Sequence, residues 1–241
     1  MPDVRPELDE IGWRTMRLLA ASDIHGNHDF YRWIPLLVQE SKVDAVVLAG
    51  DLLGFLDGYD TVEDAQDAEA QEIERLLAPL PVPLFYIMGN DDWIDLKLRA
   101  PAFQSLQGRR LDLGAYNLVG YQYSLPFMGG VFEKPEAEIA ADLALLRPQV
   151  DSHTVLVTHS PARGILDTTQ VGPAGSVSIL ELVNTRDVRA HIHGHIHKRF
   201  GRSGRHFNVA SGLLMRAMVI DLGTMDHQVV TSGRNVASSD G

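Results

Sequence analysis

Acidic, amide and imidazole side chains recur in this sequence directly after short apolar segments. Asp23 and His25 follow MRLLAAS, and Asp51 follows DAVVLAG. The full set of polar residues in such positions is Asp23, His25, Asp51, Asn90, Asp91, Asp92, His159, His195 and His197. Because the chain has no cysteine, a bound metal would need oxygen and imidazole ligands, which this set supplies. The pattern therefore indicates a metal site.

The ligand types favour a centre of two divalent ions that acts on a phosphoryl group. Two ions about 3.5–4 Å apart can hold the phosphoryl group and an attacking hydroxide between them. A carboxylate can bridge both ions with its two oxygens, and Asp51 is the natural bridge. The neutral Asn90 and the imidazoles limit the negative charge, so the ions remain strong Lewis acids. This mixed set suits Mn²⁺, Fe, Zn²⁺ or Ni²⁺ better than Mg²⁺, and we expect Mn²⁺.

Buried strands must position these side chains. The segments 16–26, 44–51 and 83–92 each contain a continuous apolar run with a polar, glycine-containing end, which is typical of strands buried on both faces. Helical patterns lie between them at 28–40 and 61–80. This alternation predicts right-handed crossovers and a mostly parallel sheet. In such sheets ligands bind beyond the carboxyl ends of the strands, where the polar residues stand.

The second half of the chain predicts further strands and helices. The segment 109–123 indicates a hairpin that turns at Gly114-Ala115, and Ser176 is well placed to cap a helix at 176–186. The other predicted elements are a helix at 135–147 and strands at 153–161, 189–200, 205–211 and 217–223. With no repeat or linker, we expect a single domain at 15–232. It would carry a flexible N-terminal arm at 1–14 and a polar C-terminal tail at 233–241.

The ordered set of motifs resembles the calcineurin-like metallophosphoesterases. The motifs are Asp23-Ile24-His25, Gly50-Asp51, Gly89-Asn90-Asp91-Asp92, Thr158-His159 and Gly194-His195-Ile196-His197. The segments HSPARGILD (159–167), GSVSILELV (175–183) and HGHIH (193–197) are similar to the small branch that includes cyclic-nucleotide phosphodiesterase-like members. The resemblance implies an α/β fold, a four-layer α/β/β/α sandwich in which two mixed β-sheets lie face to face with helices outside.

Carried over motif by motif, the resemblance implies which residues hold each ion. One ion would be bound by Asp23, His25, Asp51 and His197, and the other by Asp51, Asn90, His159 and His195. The last two histidines, His195 and His197, would share one face if the chain there is extended. His193 continues this spacing and is expected to support the ligands from behind. For His191 we expect a place on the strand surface without a function.

Two segments compete for one motif. Residues 26–29 spell GNHD, the family's string for a metal ligand and a catalytic histidine, but they follow His25 without a new strand. The segment GNDD at 89–92 ends a predicted strand, so we interpret it as the motif. Asp91 then occupies the place of the histidine that, in the family, stabilises the phosphoryl oxygens or protonates the leaving group.

Asp91 leaves three alternatives open. It could stay protonated or coordinate metal itself, the site could hydrolyse only esters with good leaving groups, or the protein could act mainly as a scaffold. His28, near the start of the first helix, is a candidate for contacting substrate or donating a proton. Asn27 is a candidate for contacting the phosphate or the nucleophile, and Arg163 for a cationic clamp. The predicted catalytic residues are therefore Asp91, His28 and Asn27.

The composition disfavours several partners. The 21 Lys plus Arg against 32 Asp plus Glu give a net charge of −11, which repels nucleic acid. No apolar run is long enough to cross a membrane and the N-terminus lacks the pattern of a signal peptide, so we expect a cytoplasmic protein without membrane contact. A homo-oligomer stays open.

These observations lead to one main functional prediction and one alternative. The main prediction is a dinuclear metal-dependent phosphoesterase that hydrolyses small phosphate esters, with phosphodiesters favoured, by attack of a metal-bridging hydroxide. A diester carries less negative charge than a monoester, and an acidic protein with Asp91 in the site tolerates it better. The alternative is a metal-binding scaffold or regulatory protein of the same fold, with little activity because Asp91 replaces the histidine. A nuclease is disfavoured by the charge and by the lack of a basic, aromatic-rich stretch.

Overall fold

The computed structural model describes residues 15–100 and 102–232. The α-helices of these residues are α1 (His28–Ser41), α2 (Val62–Leu77), α3 (Glu136–Leu146) and α4 (Val177–Arg186). The β-strands are β1 (Arg17–Ala21), β2 (Ala45–Ala49), β3 (Leu84–Ile87), β4 (Phe103–Ser105), β5 (Arg110–Leu113), β6 (Tyr116–Tyr121), β7 (Thr154–Thr158), β8 (Thr168–Thr169), β9 (Gly172–Pro173), β10 (Ala190–His193), β11 (Gly201–Ser203), β12 (His206–Asn208), β13 (Arg216–Asp221) and β14 (His227–Thr231).

Most strands belong to two mixed sheets. The first has the order β14-β13-β1-β2-β3-β4, and the second has the order β11-β12-β10-β7-β6-β5. The strands from β1 to β4 and from β12 to β6 run parallel to their neighbours. The outer strands β13, β14, β11 and β5 are antiparallel. This arrangement confirms the predicted pair of mixed sheets.

Alternating side chains divide the core into layers. Because successive side chains of a strand point to opposite faces, Leu18 and Ala20 of β1 pack between the two sheets. Leu19 and Ala21 pack under α1 and α2 on the outer face of the first sheet. In the second sheet, Leu156 packs under α3 and α4 in the same way. The fold is therefore the four-layer α/β/β/α sandwich.

Side-chain caps fix where three helices begin. The Asn27 side chain accepts hydrogen bonds from the backbone N–H groups of Asp29 and Phe30, and α1 starts at the next residue. Thr61 caps α2 in the same manner. Ser176 accepts a hydrogen bond from Ile179 N at 3.2 Å, which confirms the predicted cap of α4.

Some predicted boundaries and elements differ from the structure. The strand predicted at 189–200 covers only Ala190–His193, and beyond it His195 has a left-handed φ of 69°. The strands β4, β8, β9, β11 and β14 are short or exposed and carried no apolar run in the sequence analysis. The predicted arm at 1–14 and tail at 233–241 lie outside the described residues. Within the part of the chain that the structure describes, no helix has the length and apolar character of a membrane span.

Candidate metal centre

The predicted ligands stand in the loops that follow five different strands. Loops after β1, β2 and β3 carry Asp23, His25, Asp51 and Asn90, and loops after β7 and β10 carry His159, His195 and His197. The first three strands belong to one sheet and the other two to the second sheet. The structure therefore brings all seven residues to the edge where the carboxyl ends of both sheets meet.

Several ligand-bearing residues have an unusual backbone conformation. Asp23, His25, Asp51 and His195 have φ angles of 55°, 47°, 51° and 69°. A non-glycine residue in this left-handed region costs on the order of 1–3 kcal/mol, and such residues cluster at functional sites. The backbone of these loops therefore adopts conformations of higher energy that direct the four side chains toward the same site.

One group of ligand atoms lies around Asp23. Its Oδ1 is 3.0 Å from His197 Nε2, and the Nε2 atoms of His197 and His25 are 3.4 Å apart. Asp23 is fully buried and is held in place by the Ser22 hydroxyl and by the backbone N–H of His195, which donates to it at 3.0 Å. The ligand atoms of Asp23, His25 and His197 all lie within 4.8 Å of one another, which is close enough to share a metal ion.

A second group of ligand atoms lies around His159. Its Nε2 is 3.0 Å from Asn90 Oδ1 and 3.3 Å from Asp51 Oδ2. Its other nitrogen, Nδ1, donates to the carbonyl of Ala49 at 2.9 Å. That bond places the Nε2 lone pair of the neutral ring on the side of Asn90 and Asp51, as metal coordination requires. The ring of His195 lies beside that of His159, with centroids 5.1 Å apart, and its role as a ligand stays a prediction.

Asp51 connects the two groups. Its Oδ2 lies 3.3 Å from His159 Nε2 and 4.0 Å from His25 Nε2, so one carboxylate faces both sets of imidazoles. Glycine makes this approach possible, because a Cβ at Gly89 would collide with Asp51 and with the His159 ring. The bridging role of Asp51 stays a prediction, because the Asp23 carboxylate also lies within 4.8 Å of ligand atoms in both groups, those of His25 and His197 and those of Asp51 and His159.

Opposite charges and burial shift the pKa values of these groups. Burial lowers the pKa of His159, but the adjacent Asp51 carboxylate outweighs it and raises that pKa to about 10. Burial likewise opposes a raised pKa at His25, yet the Asp91 carboxylate and the charges of Asp51 and Asp23 raise it to about 9. Burial and the charge on His159 lower the pKa of His195 to about 4. Without a metal, the acidic centre therefore holds protons on two imidazoles, and a metal ion must compete with those protons.

Asp91 contacts a ligand histidine. Its Oδ2 lies 3.2 Å from Nδ1 of His25, while its backbone N–H donates to Asp51 Oδ1 at 2.8 Å. The imidazole of His25 therefore presents Nε2 to the ligand group and Nδ1 to a carboxylate. The next residue, Asp92, is fully buried and accepts hydrogen bonds from the backbone N–H groups of Leu52, Leu53 and Gly89, which fix the loops that carry Asp51 and Asn90.

The other predicted catalytic residues have partners of their own. The Asn27 side chain caps α1, and its Nδ2 lies 3.6 Å from the Met215 sulfur. His28 Nε2 lies 3.3 Å from Oε1 of Glu69, a buried carboxylate on α2 whose other oxygen accepts from Gly54 N. These contacts stabilise the loop that carries His25, and the catalytic roles of Asn27 and His28 stay predictions. Arg163 donates to the carbonyls of Pro173 and Gly175.

The expectation for His191 is wrong. His191 and His193 are fully buried, because both faces of the second sheet are covered. The Nε2 of His191 donates to the Thr158 hydroxyl at 2.8 Å, and its Nδ1 lies 2.9 Å from Nδ1 of His206. Burial is the main cause that holds the pKa of His191 well below its ordinary value. His193 Nδ1 lies 3.4 Å from the carbonyl of Gly194, and its expected role in supporting the ligands stays a prediction.

Sequence reasoning missed two residues that border the centre. The Met128 sulfur lies 4.0 Å from Asn90 Nδ2, and the Phe127 ring stands edge-on to the ring of His195 with centroids 6.4 Å apart. Both belong to an irregular loop without hydrophobic periodicity. Their only sequence signal was the presence of two large apolar residues in a segment that otherwise contains glycine and proline.

Comparisons with known proteins identify a family model and solved structures that this chain resembles. A sequence model described as calcineurin-like phosphoesterase matches residues 16–199. A crystal structure of a Thermus thermophilus protein has a TM-score of 0.69 and 16% identity, over 90% of this chain and 99% of that one. A dimetal phosphatase from Danio rerio has a TM-score of 0.56 and 13% identity, over 90% of this chain and 98% of that one.

A third structure of this fold is the anchor in the inner membrane complex of Plasmodium. It has a TM-score of 0.51 and 12% identity, over 90% of this chain and 89% of that one. At such low identity these structures show that the fold is shared and nothing more. No curated protein sequence matches the chain at a significant level.

Proposed function

Because the chain belongs to the calcineurin-like phosphoesterase family, we propose that it is a dinuclear metal-dependent phosphoesterase that acts on phosphodiesters in preference to monoesters. The observation that carries the proposal is the position of Asp51, whose Oδ2 faces His159 Nε2 at 3.3 Å and His25 Nε2 at 4.0 Å. A carboxylate in this place can bridge two ions, which is the arrangement that two-metal hydrolysis uses.

The donor atoms fit the metals. Converging imidazole nitrogens and carboxylate oxygens, such as the Nε2 atoms of His25 and His197 beside Asp23, suit a divalent transition metal. The first ion would be held by Asp23, His25, Asp51 and His197, and the second by Asp51, Asn90, His159 and His195. When bound, such ions supply the Lewis acidity and the activated water that hydrolysis of a phosphoester needs. Manganese is our preferred metal because the donor set mixes nitrogen and oxygen.

The surrounding residues orient the ligands. Ala49 fixes the ring of His159 through Nδ1, and the Asp91 carboxylate does the same for His25 at 3.2 Å. Carboxylates and carbonyls in such positions set the tautomer and raise the basicity of a ligating imidazole. The first role of Asp91 is therefore to position His25 and not to donate a proton.

This role of Asp91 defines the substrates that the centre can hydrolyse. General acid catalysis by a positioned side chain contributes roughly 10²–10⁴ to the rate of such a reaction. Because Asp91 contacts His25 where the family places the catalytic histidine, we infer that the enzyme depends on esters whose leaving groups depart without protonation. The net charge of −11 and the acidic centre also favour the single negative charge of a diester over the double charge of a monoester.

A scaffold without activity is the second candidate, and the replacement of the usual histidine by Asp91 is the observation that favours it. Against it stands the complete ligand set, arranged on costly backbone conformations at Asp23, His25 and Asp51. These conformations argue only against a scaffold that needs no metal, and a metal-binding scaffold or regulatory protein with little activity stays the alternative.

One comparison tests the proposal. The protein is loaded with Mn²⁺ and assayed with bis-p-nitrophenyl phosphate and p-nitrophenyl phosphate, beside the variant Asp51→Asn and the matched control Asp57→Asn, an exposed carboxylate in the same loop. We expect turnover of the diester to exceed that of the monoester, to disappear in Asp51→Asn and to persist in Asp57→Asn. A wild-type protein that binds two ions and hydrolyses neither ester would refute the proposal in favour of the scaffold.

A further inference from the structure

A cleft opens directly beside the candidate metal centre. Its volume is about 720 Å³, which is in the range of small-molecule sites in proteins. The candidate ligands His195 and His197 are among the residues that line the cleft, so a molecule held there would lie beside the metal centre. Phe127 and Val171 contribute apolar surface to its walls, and the exposed residues Lys198 and Arg199 add positive charge to its lining.

The apolar wall at Phe127 is held in a fixed position. The Glu133 carboxylate accepts hydrogen bonds from the backbone N–H groups of Phe127, Met128 and Gly129 at 2.9, 2.8 and 2.8 Å. These three bonds tie the loop down, and the Phe127 ring rests edge-on against His195. A wall that is rigid before the ligand arrives binds it with a smaller loss of conformational entropy.

A second wall of the cleft is tied to the loop that carries His197. It is the hairpin of β8 and β9, which carries Val171 at its turn. Arg199, two residues after the ligand His197, donates from Nε to the carbonyl of Thr168 at 3.0 Å. Within the hairpin, the Thr169 hydroxyl donates to the Gly172 carbonyl at 2.6 Å. The hairpin is therefore anchored to the loop that carries His197, and the loop of Phe127 is anchored to Glu133.

Two apolar side chains that line the cleft, Phe127 and Val171, are largely exposed to solvent. Phe127 is 74% exposed and Val171 is 98% exposed. Contiguous apolar surface of this kind commonly marks a site that is covered when a ligand or partner is bound. Because the cleft is continuous with His195 and His197, the occupant best placed to cover it is part of the substrate itself.

We propose that this cleft binds a bulky apolar ester arm of the substrate, so that the enzyme selects phosphodiesters that carry an alkyl or aryl group on the arm that is not the leaving group. This inference rests on the proposed phosphodiesterase function and adds the chemical class of the substrate to it. The phosphoryl group would lie at the metal centre, the apolar arm would pack between Phe127 and Val171, and the cations of the lining would offset the negative field of the protein.

A series of substrates with one common leaving group tests the inference. Methyl, ethyl, propyl, butyl and hexyl p-nitrophenyl phosphates differ only in the retained arm. Burial of each methylene group contributes a factor of roughly three to four in affinity. We therefore expect kcat/KM of the Mn²⁺-loaded protein to rise about threefold per carbon until the arm fills the cleft. Calorimetric binding of dihexyl phosphate, whose alkoxide groups leave too slowly for turnover, should be correspondingly tighter than that of dimethyl phosphate.

Variants of the walls localise the effect. Phe127→Ala and Val171→Ser should each flatten the dependence of kcat/KM and of affinity on arm length. The matched control is Leu145→Ala, which removes a side chain on α3 that is 80% exposed and lies outside the cleft, and which should keep the full dependence. Glu133→Gln leaves the wall in place but weakens its anchor, so it should reduce the dependence less than Phe127→Ala does.

The outcomes separate this inference from the proposed function. If turnover occurs but neither kcat/KM nor affinity depends on arm length, the inference is wrong and the phosphodiesterase proposal stands. If dihexyl phosphate binds at the walls but no ester is hydrolysed, the phosphodiesterase proposal is wrong. The inference that the cleft binds an apolar arm then still holds. If the wild type sediments with phosphatidylcholine vesicles through Phe127 and shows no dependence on arm length, the walls are a membrane-docking surface and the inference is overturned.

Discussion

Removal of the Asp91 carboxylate tests how the centre replaces the usual histidine. The distance of 3.2 Å from Oδ2 to His25 Nδ1 would correspond to about 5 kcal/mol for two unit charges at an effective dielectric constant of 20. A metal-bound imidazole is neutral and its N–H carries only a fraction of a charge, and both side chains are partly exposed to water. The contribution therefore falls to about 1.4–2.7 kcal/mol, the tenfold to hundredfold loss of metal affinity typical when such a partner is removed.

The assay compares the affinity for Mn²⁺ of wild type, Asp91→Asn and Asp91→Ala by isothermal titration calorimetry. The control is Asp95→Asn, which removes an exposed carboxylate four residues further along the chain. We expect the site that contains His25 to bind Mn²⁺ 10–100-fold more weakly in both Asp91 variants, with the second site less affected, and the control to match the wild type. Unchanged affinity in Asp91→Asn would refute the positioning role.

A third variant at the same residue tests the chemical consequence. Asp91→His restores the residue type that the family uses at this place, so it should accelerate esters with poor leaving groups more than it accelerates p-nitrophenyl esters. The measurement is the dependence of kcat on the pKa of the leaving group, which should be steeper in the wild type than in Asp91→His. An equal dependence in the two proteins would show that Asp91 does not limit the choice of leaving group.

Three other predictions follow from the geometry. Gly89→Ala should abolish Mn²⁺ binding while circular dichroism shows a folded protein, because the added Cβ collides with Asp51 and His159; normal binding would show that the loop is not fixed. The free energy of unfolding should decrease as pH falls below about 6.5, because His191 takes up a proton in the unfolded chain but stays neutral when buried. In His191→Gln the change of this free energy with pH should be smaller by up to about 1.4 kcal/mol per pH unit. Equal pH dependence in urea titrations of the two proteins would contradict this. His28→Ala should cut turnover sharply and leave the metal content intact. If turnover is unchanged and His28→Ala and Glu69→Gln lose the same thermal stability, the role of His28 is the contact with Glu69 alone.

The convergence of the candidate ligands could be predicted because its signal is local. Each ligand follows an apolar run that is long enough to be recognised as a strand, and parallel strands bring their carboxyl ends to one edge. The cap of α4 at Ser176 followed from residue type in the same way, whereas the cap of α1 at Asn27 was not predicted. The prediction for His191 failed because a polar residue in a short strand was assigned to the surface, although both faces of the second sheet are covered.

The remaining features depend on tertiary contacts that leave no local pattern. The edge strand β14 is mostly exposed and has a polar start, so nothing in its sequence separates it from a loop. The wall formed by Phe127 depends on Glu133, whose three hydrogen bonds arise only after the loop has folded back on itself. Asp91 and His25 are far apart in sequence, so their contact could not be predicted. Residue type alone left the role of Asp91 open.

The most direct test of the central claim is a crystal structure of the protein soaked in Mn²⁺, with the ions located by anomalous scattering. We predict two manganese ions about 3.5–4 Å apart, with the Asp51 carboxylate between them, His25 and His197 on one ion and His159 and His195 on the other. A single ion, or two ions bound without Asp51, would contradict the account.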